Sequence, residues 1–172
     1  LRLVGSEMCI RDSCIPMTTQ NPQAAVVMQE DAYCDNANMF FVQIPEVTDD
    51  KLYAMAAIIN STPFAYFAKS IANPQQGGFY KFNKQFLDPV PFPRMEFTAF
   101  SEQMQQLAGV ARHIEETNTA ITTSISSASR LYPLLNNLWS EVDRLCCELY
   151  GLSDSEKEII MLNPRTDHYY YE

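Results

Sequence analysis

The sequence predicts an α+β protein: a small mixed strand and helix part, then a long two-helix coiled pair and a short C-terminal helix. Three observations carry this. Two short apolar runs near the start are rich in β-branched and aromatic residues. Apolar residues from Phe97 to Leu149 recur at spacings of three and four. A Ser-x-x-Glu box at Ser153 and Glu156 opens one last helix.

The elements are taken in chain order. "LRLVGSEMCIRDS" has no period that joins it to the rest of the chain, and it resembles a translated sequencing-adapter tail. Residues 1–13 are therefore set apart from the fold argument as a non-native tail; the alternative is a genuine short strand and loop. The missing start suggests the C-terminal part of something longer. "AAVVMQ" (24–29) and "NMFFVQI" (38–44) read as strands, paired as a hairpin or lying side by side. Thr48 caps a helix whose first turn holds Asp49 and Asp50, facing free N–H groups and the positive dipole end. Leu52, Met55, Ala56 and Ile59 lie on one side of it. Pro63 suits the first position of a second helix, which Asn73-Pro74 stops. "GFYKF" suits a short strand and "VPFPR" an extended segment.

From Phe97 the apolar positions run through Phe100, Met104, Leu107, Ala111, Ile114, Asn118, Ile121, Ile125 and Ala128. They continue through Tyr132, Leu135, Trp139, Val142, Cys146 and Leu149. Pro133 should break this register, giving helices that start near Phe97 and Pro133. Gly151 closes the second one. The expected domains are 14–96, 97–162 and a tail, 163–172, that is frayed or ordered by a partner.

Composition bounds the function. The chain has 172 residues, 47% hydrophobic and 19% charged, which suits a globular protein. No apolar run approaches the ~20 residues of a membrane span. Five cysteines without paired spacing argue against a secreted disulfide framework and for a reducing cytoplasm. The net charge of −9 argues against a stand-alone nucleic-acid binder but leaves room for a local basic site.

No catalytic constellation and no metal-ligand spacing stand out. His113 reads as a solvated helix residue. Cys146 and Cys147, adjacent on a helix, diverge by about a hundred degrees, so core packing suits Cys146. Glu115-Glu116 and Asp49-Asp50 read as solvated acids. The distinctive stretch is "IANPQQGGFYKFNKQFLDPVPFPR" (71–94). It gathers Lys81, Lys84 and Arg94 against only Asp88, with Lys69 just before it. Those cations suit phosphates. Gln75, Gln76, Asn83 and Gln85 offer the paired amide donor and acceptor that read adenine edges. Gly77 and Gly78 permit positive φ and close backbone approach. Phe79, Tyr80 and Phe82 either stack on bases or fill core. A solvated surface loop over buried aromatics fits these residues equally well.

The order "AAIINSTPFAYFAKSIANPQQGGFYKFNKQFLDPVPFP" resembles the TaqI-like target-recognition domain at the C-terminus of adenine-specific DNA methyltransferases of restriction-modification and phage-defence systems. The matching pieces are Ile59-Asn60-Ser61, Phe64 to Lys69, Gly77 to Lys84, and Phe86 to Pro93. A closing "CELYGL" (147–152) with Glu156 completes them, and the likeness covers roughly 24–161. The resemblance implies double-stranded DNA as partner, through Lys69, Gln75, Gln76, Gly77, Gly78, Tyr80, Lys81, Asn83, Lys84, Gln85 and Arg94. It implies an upstream methyltransferase domain that binds S-adenosylmethionine and holds a flipped adenine at Asn-Pro-Pro-Tyr or Asn-Pro-Pro-Phe. None of the three Asn-Pro pairs here continues that way. No catalytic residue and no cofactor are therefore expected within this stretch. The competing expectation is a helical protein-interaction module that offers its heptad seam to a partner, with no nucleic-acid role.

Overall fold

The structure is a computed structural model that describes residues 2–4, 12–28, 38–43, 48–93, 101–124 and 128–165. It is α+β, dominated by long helices. Strands β1 (Arg2–Val4), β2 (Asp12–Pro16), β4 (Ala25–Val27) and β5 (Met39–Gln43) form an antiparallel sheet in the order β1-β5-β2-β4. The two strands read from apolar runs are present, but they are not neighbours: β2 lies between them and pairs with both. The sequence hides β2 because its first residues fall in the segment set apart. In the structure Ser13, Cys14 and Ile15 are buried there.

Helix α1 (Asp49–Ile59) starts where its cap requires, the Thr48 side chain accepting from the Lys51 amide. Helix α2 (Thr62–Ile71) comes at once after it, with Ser61 as its cap and Pro63 in its first turn. Two long helices come later, α4 (Glu102–Thr123) and α5 (Ala128–Leu149), with a four-residue helix α3 (Lys84–Leu87) between α2 and α4. The seam thus breaks near residue 124, not at Pro133. Pro133 sits in the second turn of α5, exposed to solvent. The hydrogen bond it forgoes is the one to the Ser129 carbonyl, and Ser129 is itself exposed. α4 begins at Glu102 behind the cap Ser101; Phe97, Phe100 and Ile125 lie outside the described residues.

The short connection makes α4 and α5 antiparallel, and they pack along the predicted positions. Met104, Leu107, Ile114, Leu135, Trp139, Val142 and Cys146 are all buried. The pair is not self-contained, since α1 covers α4 as extensively as α5 does. Leu52, Met55 and Ile58 of α1, Phe64 of α2 and Ile15 of β2 join the same apolar core, which therefore runs across the expected boundary at 96/97.

Gly151, at φ 64°, ends α5 as expected. The Gly151 and Leu152 amides donate to the Glu148 and Cys147 carbonyls, the paired bonds of a Schellman turn. Ser153 and Glu156 form the capping box of α6 (Asp154–Met161). The tail is not wholly frayed: Arg165 is buried, its amide donating to Thr62 Oγ1 at 3.4 Å and its guanidinium to the Pro22 carbonyl. Residues 166–172, His168 among them, lie outside the described residues.

Candidate nucleic-acid interface

The basic stretch is a β-hairpin. Strand β6 (Asn73–Pro74) pairs antiparallel with β7 (Tyr80–Lys81), whose other edge pairs with β3 (Thr18–Thr19). Pro74 lies on an edge strand, where a missing N–H costs no ladder bond. Between the strands, Gln76–Gly78 make one tight turn, and the Gln75 amide donates to the Phe79 carbonyl at 2.7 Å to close the loop. Gly77 and Gly78 have φ of 76° and 79°, a region that strains any residue with a Cβ. The glycine pair is therefore what lets the chain reverse here.

The base of the hairpin is held stiffly. Phe82 is fully buried, and its amide donates to the Met17 carbonyl at 2.6 Å. The Tyr80 ring stacks on Phe82, with centroids 6.0 Å apart and planes 24° from parallel. Lys69, near the C-terminus of α2, places its Nζ 5.6 Å from the centre of the Tyr80 ring. Downstream, Val90 is buried, Phe92 meets Phe64 edge-on at 6.2 Å, and the Tyr150 hydroxyl donates to the Pro91 carbonyl.

The predicted contact residues therefore divide. Gln75, Gln76, Gly77, Gly78, Lys81, Lys84 and Gln85 are exposed on the hairpin and the adjoining α3. No acidic residue occurs from Lys69 to Leu87. Tyr80 is half-buried, with Phe82 stacked on it and Lys69 over it, so it supports the hairpin. Asn83 is the cap residue of α3; it is half-buried, and its Oδ1 is buried without a hydrogen-bond partner among the described residues. Arg94 lies outside the described residues. The sequence alone leaves Phe79 undecided between stacking and core; the structure sets it 41% exposed beside the glycines.

Other candidate groups serve the fold. Cys146 is buried and its thiol is pushed up to about 12, chiefly by burial. Cys147 is buried too, its thiol also raised by burial. His113 is exposed. The acids are less idle than they read: Asp50 pairs with Arg112, and Glu115 accepts from the Tyr53 hydroxyl. Among the described residues no group of three or more His, Cys, Asp or Glu side chains is placed to hold a metal ion. Nor is any described helix long and apolar enough to cross a membrane.

The "NST" step between α1 and α2 has a structural task that sequence alone does not show. Asn60 clasps the Ala24 backbone with both ends of its amide, Oδ1 accepting at 3.0 Å and Nδ2 donating at 2.7 Å. Buried Asp143 accepts from both the amide and the hydroxyl of Thr62, each at 2.7 Å. These bonds tie the chain just before β4 to the α1–α2 junction, and the start of α2 to α5. No family model matches the chain, and no curated protein does.

Proposed function

We propose that this chain is the DNA target-recognition part of a site-specific adenine-N6 DNA methyltransferase of the restriction-modification or phage-defence type. The single observation that carries this reading is the projecting, acid-free hairpin, with its exposed amides and lysines on a stiff aromatic base, built from the segment whose motif order resembles such domains. A two-stranded ribbon is one of the two shapes that fit the major groove. Phosphate contacts from Lys81 and Lys84, with Lys69 alongside, would set position; Gln75, Gln76 and Gln85 would read base edges. The upstream domain would supply S-adenosylmethionine and take the adenine out of the stack, while this part grips the duplex. Such an enzyme works in the cytoplasm.

The alternative, a helical module that offers its seam to a partner, loses the surface it needs. Met104, Leu107, Ile114, Leu135, Trp139 and Val142 are buried within their own chain.

The test is a set of binding isotherms for the parent enzyme at several salt concentrations, on cognate and scrambled duplexes. Lys81→Ala and Lys84→Ala should weaken binding to both, each reducing the salt slope by about one. Gln76→Ala and Gln85→Ala should leave the slope alone and relax the site, at roughly 1–3 kcal/mol of discrimination per lost amide pair. Unchanged affinity, slope and preference in all four variants would make the hairpin a solvated connector and overturn the proposal.

A further inference from the structure

Phe79 has no evident role in the fold. The other phenylalanines whose side chains are described, Phe64, Phe67, Phe82, Phe86 and Phe92, are buried or half-buried. Phe79 is 41% exposed at the tip of the hairpin. A fully buried phenylalanine stabilises by about 1.5–3 kcal/mol, and a ring left this open forgoes a large part of that. The ring is nevertheless held: its Cδ2 and Cε2 lie 3.5 and 3.7 Å from where a Cβ on Gly77 would stand. It rests along the Gly77 backbone as a flat apolar patch, on the same turn as the exposed amides of Gln75 and Gln76.

We infer that Phe79 is a specificity-determining residue, whose ring reads the C5-methyl group of a thymine in the major groove. The inference rests on the DNA-recognition reading above and adds to it one base and one contact. A two-stranded ribbon fits the major groove, about 12 Å wide. The thymine methyl projects only into the major groove, and apolar contact with it is how phenylalanine distinguishes this base. An intercalating wedge would need a ring that projects free of its own chain. More than half of this ring is already covered. Gly77 and Gly78 bring no side chain between ring and groove, and a Cβ on Gly78 would meet nothing within 4 Å, so the tip has room on that side.

The experiment starts from duplexes that the intact chain selects from a pool of randomised sequence. Each thymine of a selected duplex is then replaced in turn by deoxyuridine, which removes the methyl group alone. The wild-type chain should lose about fourfold in affinity at one thymine, the Boltzmann factor of one buried methyl-sized group. Phe79→Ala should bind the unmodified duplex about fourfold more weakly and lose nothing further at that thymine. Its salt slope and thermal midpoint should match wild type, because the ring is uncharged and outside the core. If no single deoxyuridine matters, or if Phe79→Ala keeps the wild-type sensitivity, this inference is wrong while selection of DNA by the chain still supports the recognition reading. If the pool yields no enriched duplex, both fall.

Discussion

Replacing Asp143 by alanine should be among the most damaging single changes in this protein. The carboxylate is 6% exposed, and Thr62, which donates to it twice, is 1% exposed. Both bonds are 2.7 Å, short enough to count as charge-assisted. Such bonds contribute about 1.5–3 kcal/mol each, and truncation also leaves the Thr62 N–H and hydroxyl proton buried without their acceptor. The expected loss is about 3–5 kcal/mol, a large share of the 5–15 kcal/mol typical of a domain. At this chain length it lowers the thermal midpoint by roughly 6–20 °C. The assay is urea unfolding followed by circular dichroism, with slopes compared so that a change in midpoint reports stability. Thr62→Val in a double-mutant cycle should show coupling of about 1 kcal/mol or more, since that change removes the hydroxyl and leaves the amide. A loss below about 1 kcal/mol for Asp143→Ala, or purely additive effects in the cycle, would refute the idea that this contact locks α2 to α5.

Trp139→Ala should cost about 3–5 kcal/mol, because the ring fills the core between α4 and α5; a loss under about 1 kcal/mol in chemical denaturation would remove it from that core. The Tyr53 phenol is raised from its usual 10 to about 12, first by burial and then by its bond to Glu115. Its folded value lies above the unfolded one, so this stabilisation is fully present below pH 10 and is lost as pH rises through 12. Spectroscopic titration of Glu115→Gln should show the Tyr53 transition at lower pH than in wild type, and an unmoved transition would deny Glu115 that role.

Local signals in the sequence were the reliable ones. Thr48, Ser153 with Glu156, and Gly151 each act within a few residues, and each caps or ends its helix where expected. The apolar spacing also located the buried faces of α4 and α5. Strand order was not legible, because β2, which pairs with both β4 and β5, begins inside the segment set apart as a tail. Pro133 misled because it lies in the second turn of α5, near the helix start, where the bond it forgoes is to an exposed residue. In the site, the glycine pair announced positive φ, whereas Asn73-Pro74, read only as the stop of α2, also forms β6 at the sheet edge. Composition placed Tyr80 and Asn83 with the contact residues, whereas only tertiary packing reveals that Tyr80 is stacked over Phe82 and that the Asn83 carbonyl is turned inward.

The net charge of −9 is compatible with the proposed DNA-facing hairpin because the charges are segregated. The exposed acids Glu102, Glu116, Glu148, Asp154 and Glu158 lie on α4, α5 and α6, and the hairpin with its flanks has none from Lys69 to Leu87. A duplex that approaches an acidic helix face meets like charge, whereas one that approaches the hairpin meets lysines on an aromatic base. Repulsion elsewhere thus narrows the productive orientations, as complementary potentials narrow them at protein interfaces. On that proposal the same segregation would give few phosphate contacts, hence modest affinity for DNA in general and a shallow salt slope. A reader with weak general affinity depends on its base contacts to stay at a site. On the proposed reading the stiffness of the hairpin matters: Phe82 in the core and Tyr80 stacked on it fix the position of a tip that carries few groups.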